Sequence, residues 1–171
     1  MADAVSWSIS FVQHHEGWGV ALVFLLAFCE SFAFVSLFVP ATGILIGVGG
    51  LIVVYDLKFW PIWIAAVLGA IAGDWLAYDL TLRMRGHVER TRLFASHPEL
   101  IARGVQLFDR WGIFAVFVGR FFGPLRAVVP IVAGMYRMPW LKFQIANVAS
   151  AVLWAFGVLT PGLVVMRWLV G

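Results

Sequence analysis

Residues 117–134 read FVGRFFGPLRAVVPIVAG and lie inside an apolar run, Trp111 to Tyr136, that carries only two charges, Arg120 and Arg126. An arginine at the depth of membrane hydrocarbon costs roughly 3 kcal/mol on insertion scales, and ionisable residues there mark functional sites. The two arginines lie nine and ten residues in from the ends of the run. They are therefore the first candidate site residues.

The same stretch contains residues that interrupt helices. Gly123, Pro124 and Pro130 disfavour an unbroken helix, and non-helical backbone survives at membrane depth only where protein or a wet cavity surrounds it. We therefore predict a re-entrant, broken-helix segment that is interrupted at these three positions and presents both guanidinium groups. The alternative is a plain helix whose arginines extend along its surface toward water.

The composition is that of a membrane protein. Of 171 residues, 63% are apolar and 12% are charged, with a mean hydropathy of +0.95, whereas soluble domains carry about 25% charged residues. We predict an all-α polytopic integral membrane protein, built of spanning helices and re-entrant segments, with one membrane domain over residues 17–171. The single cysteine, Cys29, excludes a disulfide framework within the chain and a cysteine metal cluster.

The first 16 residues differ from the rest. They mix aromatic and polar positions and hold two acids but no Lys or Arg, so we expect an interfacial segment and not a cleavable signal peptide.

Residues 17–55 carry one charge, Glu30, over 39 residues, about twice the length of one membrane crossing. Pro40 and Gly43 are the predicted breaks. Two spans with a turn at Pro40 and a helix followed by a second re-entrant segment both remain open. In either case Glu30 must take up a proton or find a cation, because hydrocarbon is a poor solvent for a carboxylate.

The next apolar segment, Phe59 to Leu82, predicts a spanning helix. Gly69 and Gly73 form a small-xxx-small face suited to close helix packing. Asp74 follows at once, with Tyr78 four residues later on the same side. Asp74 is therefore a candidate site residue.

Residues 83–110 form a basic loop with six of the chain's 12 Lys and Arg, so the positive-inside rule places it in the cytoplasm. Its second half, after a start signal at Ser96–Pro98, is predicted as an amphipathic helix held to an anionic leaflet. Arg137 and Lys142 form a second basic turn, which favours a return of residues 111–136 to the same side. Phe143 to Met166 is the last predicted span, with a kink at Pro161.

A weak internal repeat relates the two halves. Pro40 follows Glu30 by ten residues, as Pro130 follows Arg120, and each charge is preceded by a Phe-rich apolar run. This pattern suggests an inverted repeat of broken helices, as in repeat-built transporters.

Four pieces of the chain, within residues 24–157, resemble the DedA family of bacterial proteins with a VTT domain. The matching pieces are Phe28-Cys-Glu30 leading to Phe38-Val-Pro40; Gly69-x-x-x-Gly73-Asp74 with Tyr78; Gly119-Arg120-Phe121 with Pro124 and Arg126; and Val132-Ala-Gly134-Met135 with Phe143 and Trp154.

The resemblance implies lipid translocation in the bacterial cytoplasmic membrane, with undecaprenyl phosphate or a related phosphate-headed lipid as substrate. It also implies that Glu30, Arg120 and Arg126 occupy functional positions. One departure stands out: many relatives carry an acid just after the first proline, where this chain has Thr42. That substitution weakens a proton-coupling scheme with two carboxylates.

The chemistry of the two arginines independently agrees with a phosphate-headed substrate, because arginine is a permanent cation whose planar donors suit phosphate. A proton-coupled small-ion or solute transporter is the alternative. We expect no enzyme, cofactor, metal or nucleic acid, and a homo-oligomer stays open. The four histidines lie outside the apolar runs, and Asp74 and Asp79 are five residues apart on one predicted helix, whereas a catalytic dyad needs facing carboxylates.

Overall fold

A computed structural model describes residues 16–32, 41–84, 98–123 and 125–170. Within these ranges the chain is all helical, as predicted, and only two helices are long and apolar enough to cross a membrane by length and composition, α3 and α7. The helices are α1 (Glu16–Ser31), α2 (Ala41–Val54), α3 (Phe59–Arg83), α4 (Pro98–Trp111), α5 (Ile113–Gly119), α6 (Leu125–Met135) and α7 (Trp140–Val170).

Helix α3 is the axis of the fold, and α1 lies directly beside it. A Cβ atom on Gly69 would overlap the carbonyl oxygen of Phe24, and one on Gly73 would lie 2.6 Å from that of Phe28. The predicted small-xxx-small face is therefore the contact with α1. Since Gly69 meets Phe24 and Gly73 meets Phe28, the two helices run in the same direction.

Helices α5 and α6 form a hairpin, in which α6 packs against the second half of α3 and α5 packs against α7 and α4. Gly134, near the end of α6, packs on Tyr78 and Thr81, while Ala127, near its start, packs on Ala77. The Tyr78 hydroxyl donates a hydrogen bond to the carbonyl of Met138 at 2.5 Å. Ile113, at the start of α5, belongs to the same apolar cluster as Tyr78 and Leu82, so both open ends of the hairpin lie near the last turns of α3. Arg120, at the tip, contacts Asp74 nearer the middle of that helix.

Helices α1 and α2 approach from the other end. The start of α1 packs along the start of α3, and residues 55–58 join the end of α2 to the first turn of α3. The end of α1 and the start of α2 come together through a hydrogen bond from Thr42 to Glu30. The α1–α2 pair and the α5–α6 hairpin thus approach the middle of α3 from its opposite ends.

Helix α7 covers the remaining side. A Cβ on Gly162 would overlap the carbonyl of Ile46, so α2 and α7 also meet backbone to backbone. Near the start of α3, the rings of Trp63 and Phe156 lie 4.7 Å apart between centroids. Pro161, the position of the predicted kink, lies inside this helix.

The predicted backbone breaks fall into three groups. Gly123, with a positive φ of 37°, lies in the non-helical turn between α5 and α6, while Pro40 and Pro124 lie outside the described residues. The predictions for Pro130 and Gly43 are wrong. Pro130 lies inside α6 and Gly43 inside the first turn of α2. Pro130, in the middle of α6, removes one backbone hydrogen bond but is fully buried, and a helical glycine costs only about 1 kcal/mol.

The predicted amphipathic helix is α4, but its apolar face is covered by protein. Ile101 is buried with Val128 and Val132 of α6, and Gly104 packs on the same Val128. The charged face of α4 is therefore the one that points outward, and the attachment of its arginines to an anionic leaflet stays a prediction. Most of the basic segment before α4, and the predicted interfacial segment through residue 15, lie outside the described residues.

A hydrogen bond ties α4 to the turn after α6. The Tyr136 hydroxyl donates to Asp109 at 2.6 Å, and this bond raises the pKa of Tyr136 above its ordinary value. The phenol stays protonated, and the bond is kept, at any physiological pH.

Candidate functional site

Four charged residues predicted from the sequence meet in one buried cluster. Glu30 comes from the end of α1, Asp74 from the middle of α3, Arg120 from the tip of the α5–α6 hairpin and Arg126 from the first turn of α6. Their side chains are between 3% and 11% exposed. We call these four residues the ion cluster.

Arg120 is held by one acid and one amide. Its Nη2 contacts the carboxylate of Asp74 and also donates to Oδ1 of Asn147 at 2.6 Å. Helix α5 ends at Gly119, so Arg120 leaves the helix where the chain turns. The hairpin tip is thereby joined to both long helices, α3 and α7.

Arg126 is held by the end of α1. Its Nη1 donates to Oε1 of Glu30 at 2.6 Å, and its Nη2 donates to the hydroxyl of Ser31 at 3.1 Å. The Trp154 ring lies 4.6 Å from its guanidinium carbon, a cation–π contact. Thr42 donates its hydroxyl to the same Glu30 oxygen. Of the two outcomes predicted for Glu30, a bound proton or a neighbouring cation, the structure therefore shows the cation, Arg126.

The ion cluster is formally neutral, with two guanidinium groups and two carboxylates. Arg120 interacts electrostatically with Arg126 and Glu30 as well as with Asp74, so the two ion pairs form one electrostatic unit. Breaking a buried pair by removing one partner costs about 3–5 kcal/mol, because the other charge is left uncompensated. The two arginines are therefore cations that already hold carboxylates.

Some hydrogen-bonding capacity stays unused. Arg120 Nε and Nη1 and Glu30 Oε2 are buried and have no hydrogen-bond partner among the described residues. Such atoms are expensive to leave unpaired. Among the described residues, they leave the ion cluster with two donor atoms and one acceptor atom that have no partner.

Four contributors were not chosen from the sequence as site residues: Ser31, Thr42, Asn147 and Trp154. Asn147 had a usable signal, since it is a polar residue in a long charge-free span. Ser31 and Trp154 have ordinary surroundings in the sequence, and only the meeting of α1, α6 and α7 gives them a role.

The arrangement does not support a carboxylate dyad. Asp79 pairs with Arg83 at 2.7 Å on a solvent-accessible part of α3, whereas Asp74 is committed to the ion cluster. In the described part of the chain, no group of three His, Cys, Asp or Glu side chains could hold a metal ion.

Comparisons with known proteins agree on one family. The profile of the VTT domain matches residues 39–164. The inner membrane protein YabI of Escherichia coli K12 is 33% identical over 153 residues, which cover 90% of this chain and 60% of YabI. Protein DedA of the same organism is 29% identical over 171 residues, covering 89% of this chain and 76% of DedA.

An uncharacterized membrane protein of Mycobacterium tuberculosis is 37% identical over 113 residues, covering 61% of this chain and 52% of that protein. The chain spans about three fifths of the length of YabI and of the similar Buchnera membrane proteins. No solved structure matches it.

Proposed function

The chain belongs to the VTT domain (DedA) family of membrane proteins, and from this premise we propose that it is a lipid translocase of the bacterial cytoplasmic membrane. Its substrate would be undecaprenyl phosphate or a related phosphate-headed lipid. The observation that carries the proposal is the buried ion cluster, in which two arginines from one hairpin meet acids from two other helices.

The chemistry of the ion cluster suits a phosphate. Arginine binds phosphate through charge-assisted hydrogen bonds from several donors, and Arg120 keeps two donor atoms without a partner among the described residues. A phosphate that replaces a carboxylate on an arginine leaves that arginine with a counterion. The head group can thus bind without leaving an arginine uncompensated, and the displaced carboxylate would take up a proton to balance the charge. The lipid tail needs no polar path, because it stays among other tails.

We further propose that α1–α2 and α5–α6 are two re-entrant, broken-helix segments that are related as an inverted repeat. At 1.5 Å per residue, α5 and α6, with 7 and 11 residues, extend about 10 and 17 Å, against a hydrocarbon core of about 30 Å. Neither can cross alone, and both ends of the hairpin lie beside the end of α3. The approach of α1 and α2 from the other end of α3 supports the inverted relation.

Labelling from the two sides of the membrane tests this topology. The chain has one cysteine, so single cysteines can be placed in a Cys29→Ser background. We expect Arg110→Cys and Lys142→Cys to react from the cytoplasmic side, because both ends of the hairpin lie at the basic end of α3. Asp56→Cys, in the turn before α3, should react from the opposite side. Labelling of Arg110→Cys and Lys142→Cys from different sides would contradict a re-entrant hairpin.

Vesicles that contain the purified protein test the function. We expect a phosphate-headed polyprenyl lipid to equilibrate between leaflets faster than in protein-free vesicles, measured as the fraction of head groups accessible to an added phosphatase. A lipid with a neutral head group should be accelerated less, because the arginines supply no charge-assisted bond to it. Acceleration of neither lipid would contradict the proposal.

The alternative is a proton-coupled small-ion or solute transporter. One observation favours it: Glu30 and Asp74 are buried carboxylates inside the ion cluster, and one Glu30 oxygen lacks a partner in the described structure. Proton or cation flux in the same vesicles, without lipid movement, would support this alternative. For either transport function we propose no catalytic role, since the Ser31 and Thr42 hydroxyls are engaged by Arg126 and Glu30.

A further inference from the structure

Asn147 occupies a special place in the ion cluster. It is completely buried, and its Oδ1 accepts a hydrogen bond from Arg120 Nη2. Its Nδ2 donates to the carbonyl of Ile71 at 3.2 Å and to Oε1 of Gln144 at 3.3 Å. The amide is therefore used from both ends, which sets the orientation of its oxygen toward Arg120.

Asp74 and Asn147 bind the same nitrogen of Arg120 from different helices. A terminal guanidinium nitrogen carries two hydrogens, so these two acceptors account for both. One acceptor is charged and the other is neutral. With Asp at position 147 the cluster would carry a net charge of −1, and with Asn at position 74 it would carry +1.

The neutral acceptor, Asn147, also uses the donor side of its amide. A carboxylate at position 147 could accept from Arg120 but could not donate to the carbonyl of Ile71. An apolar side chain could do neither. The amide, with its acceptor oxygen and donor nitrogen on separate atoms, joins the guanidinium of the hairpin tip to the backbone of α3 without adding charge.

We propose that Asn147 is a positioning residue for Arg120 that, together with Asp74, sets the net charge of the ion cluster at zero. Its effect on phosphate selectivity rests on the proposed function, since a negative cluster would repel a phosphate. Its effect on stability does not, because charge balance among buried groups matters whether or not lipid is moved.

A double-mutant cycle on the purified full chain in detergent tests the proposal through melting temperature, without any substrate. Asp74→Asn alone should lower Tm by about 10 °C, because Arg120 loses its counterion. In an Asn147→Asp background the same Asp74→Asn change should raise Tm, because it returns the cluster to neutrality. The unfavourable contact of Asp with the Ile71 carbonyl is present in both members of that comparison and cancels.

Asp79→Asn is the matched control, because Asp79 lies on the same helix but pairs with Arg83 outside the cluster. It should shift Tm equally in both backgrounds. If Asp74→Asn lowers Tm in the Asn147→Asp background as much as in wild type, the proposal is wrong.

Vesicle transport gives the functional readout. Asn147→Asp should lower the ratio of phosphate-headed to neutral-headed lipid movement at least about tenfold, the equivalent of roughly 1.4 kcal/mol of charge repulsion, and Asp74→Asn should restore part of it. If the Tm reversal is found but the wild-type protein moves no phosphate-headed lipid, the positioning role stands and the proposed function fails. If the wild-type protein moves the phosphate-headed lipid but the ratio is unchanged in Asn147→Asp, the charge-setting role is wrong.

Discussion

Lysine in place of Arg120 or Arg126 is expected to reduce movement of a phosphate-headed lipid at least about tenfold, while the protein still inserts in the membrane. Arg126 binds Glu30 and Ser31 through two different nitrogens, and a single ammonium cannot reproduce that planar geometry. Alanine should reduce movement further, because it leaves Glu30 or Asp74 as a buried charge without its partner, at about 3–5 kcal/mol. Lipid movement in proteoliposomes and Tm in detergent measure the two effects.

Arg83→Lys provides the control for this series. Arg83 pairs with Asp79 on an exposed side chain at the end of α3, and exposed ion pairs contribute about 0–1 kcal/mol. We expect wild-type transport and stability from this variant. Wild-type rates in both Arg120→Lys and Arg126→Lys would show that the arginines do not recognise phosphate through more than one donor.

Addition of a single methyl group at Gly73 is expected to damage both the fold and the site. A Cβ there would lie 2.6 Å from the carbonyl oxygen of Phe28 and 2.8 Å from Cβ of Ser31. Helix α1 must then move away from α3, and it carries Glu30 and Ser31 away from Arg126. We expect Gly73→Ala to cost about 2 kcal/mol, or roughly 5 °C in Tm, and to lower transport.

Gly157→Ala is the matched substitution, since nothing lies within 4 Å of a Cβ at that helical position. Alanine is the better helix former by about 1 kcal/mol, so this change should leave Tm equal or higher. An equal response of the two variants would mean that close contact between α1 and α3 is not what holds Glu30 in place.

The part of this architecture that could be predicted from sequence is the part governed by local rules. Hydropathy and length predicted that α3 ends at Leu82, and the helix ends one residue later, at Arg83. The prediction for α7, Phe143 to Met166, was too short at both ends, since the helix spans Trp140–Val170. Positional rules for glycine identified the face of α3 that contacts α1. The rarity of charge in apolar runs selected all four members of the ion cluster before their partners were known.

Local rules also produced the errors. Proline and glycine lower helix stability, but tertiary contacts outweigh that cost, so Pro130 and Gly43 lie within helices. The amphipathic pattern of α4 correctly indicated a helix with one apolar face. It could not indicate what covers that face, because lipid and the side chains of α6 are equally apolar.

By itself, the sequence determined that the chain is helical, that it is apolar enough for a membrane, and that Glu30, Asp74, Arg120 and Arg126 are its costly residues. Only the tertiary structure decided which acid holds which arginine, and that Asn147, Ser31 and Trp154 complete their surroundings. The physical reason is separation along the chain. Arg126 and Glu30 are 96 residues apart, and Arg120 and Asp74 are 46 apart. A charged residue in an apolar run predicts that it has a partner, but the identity of that partner depends on how the helices pack.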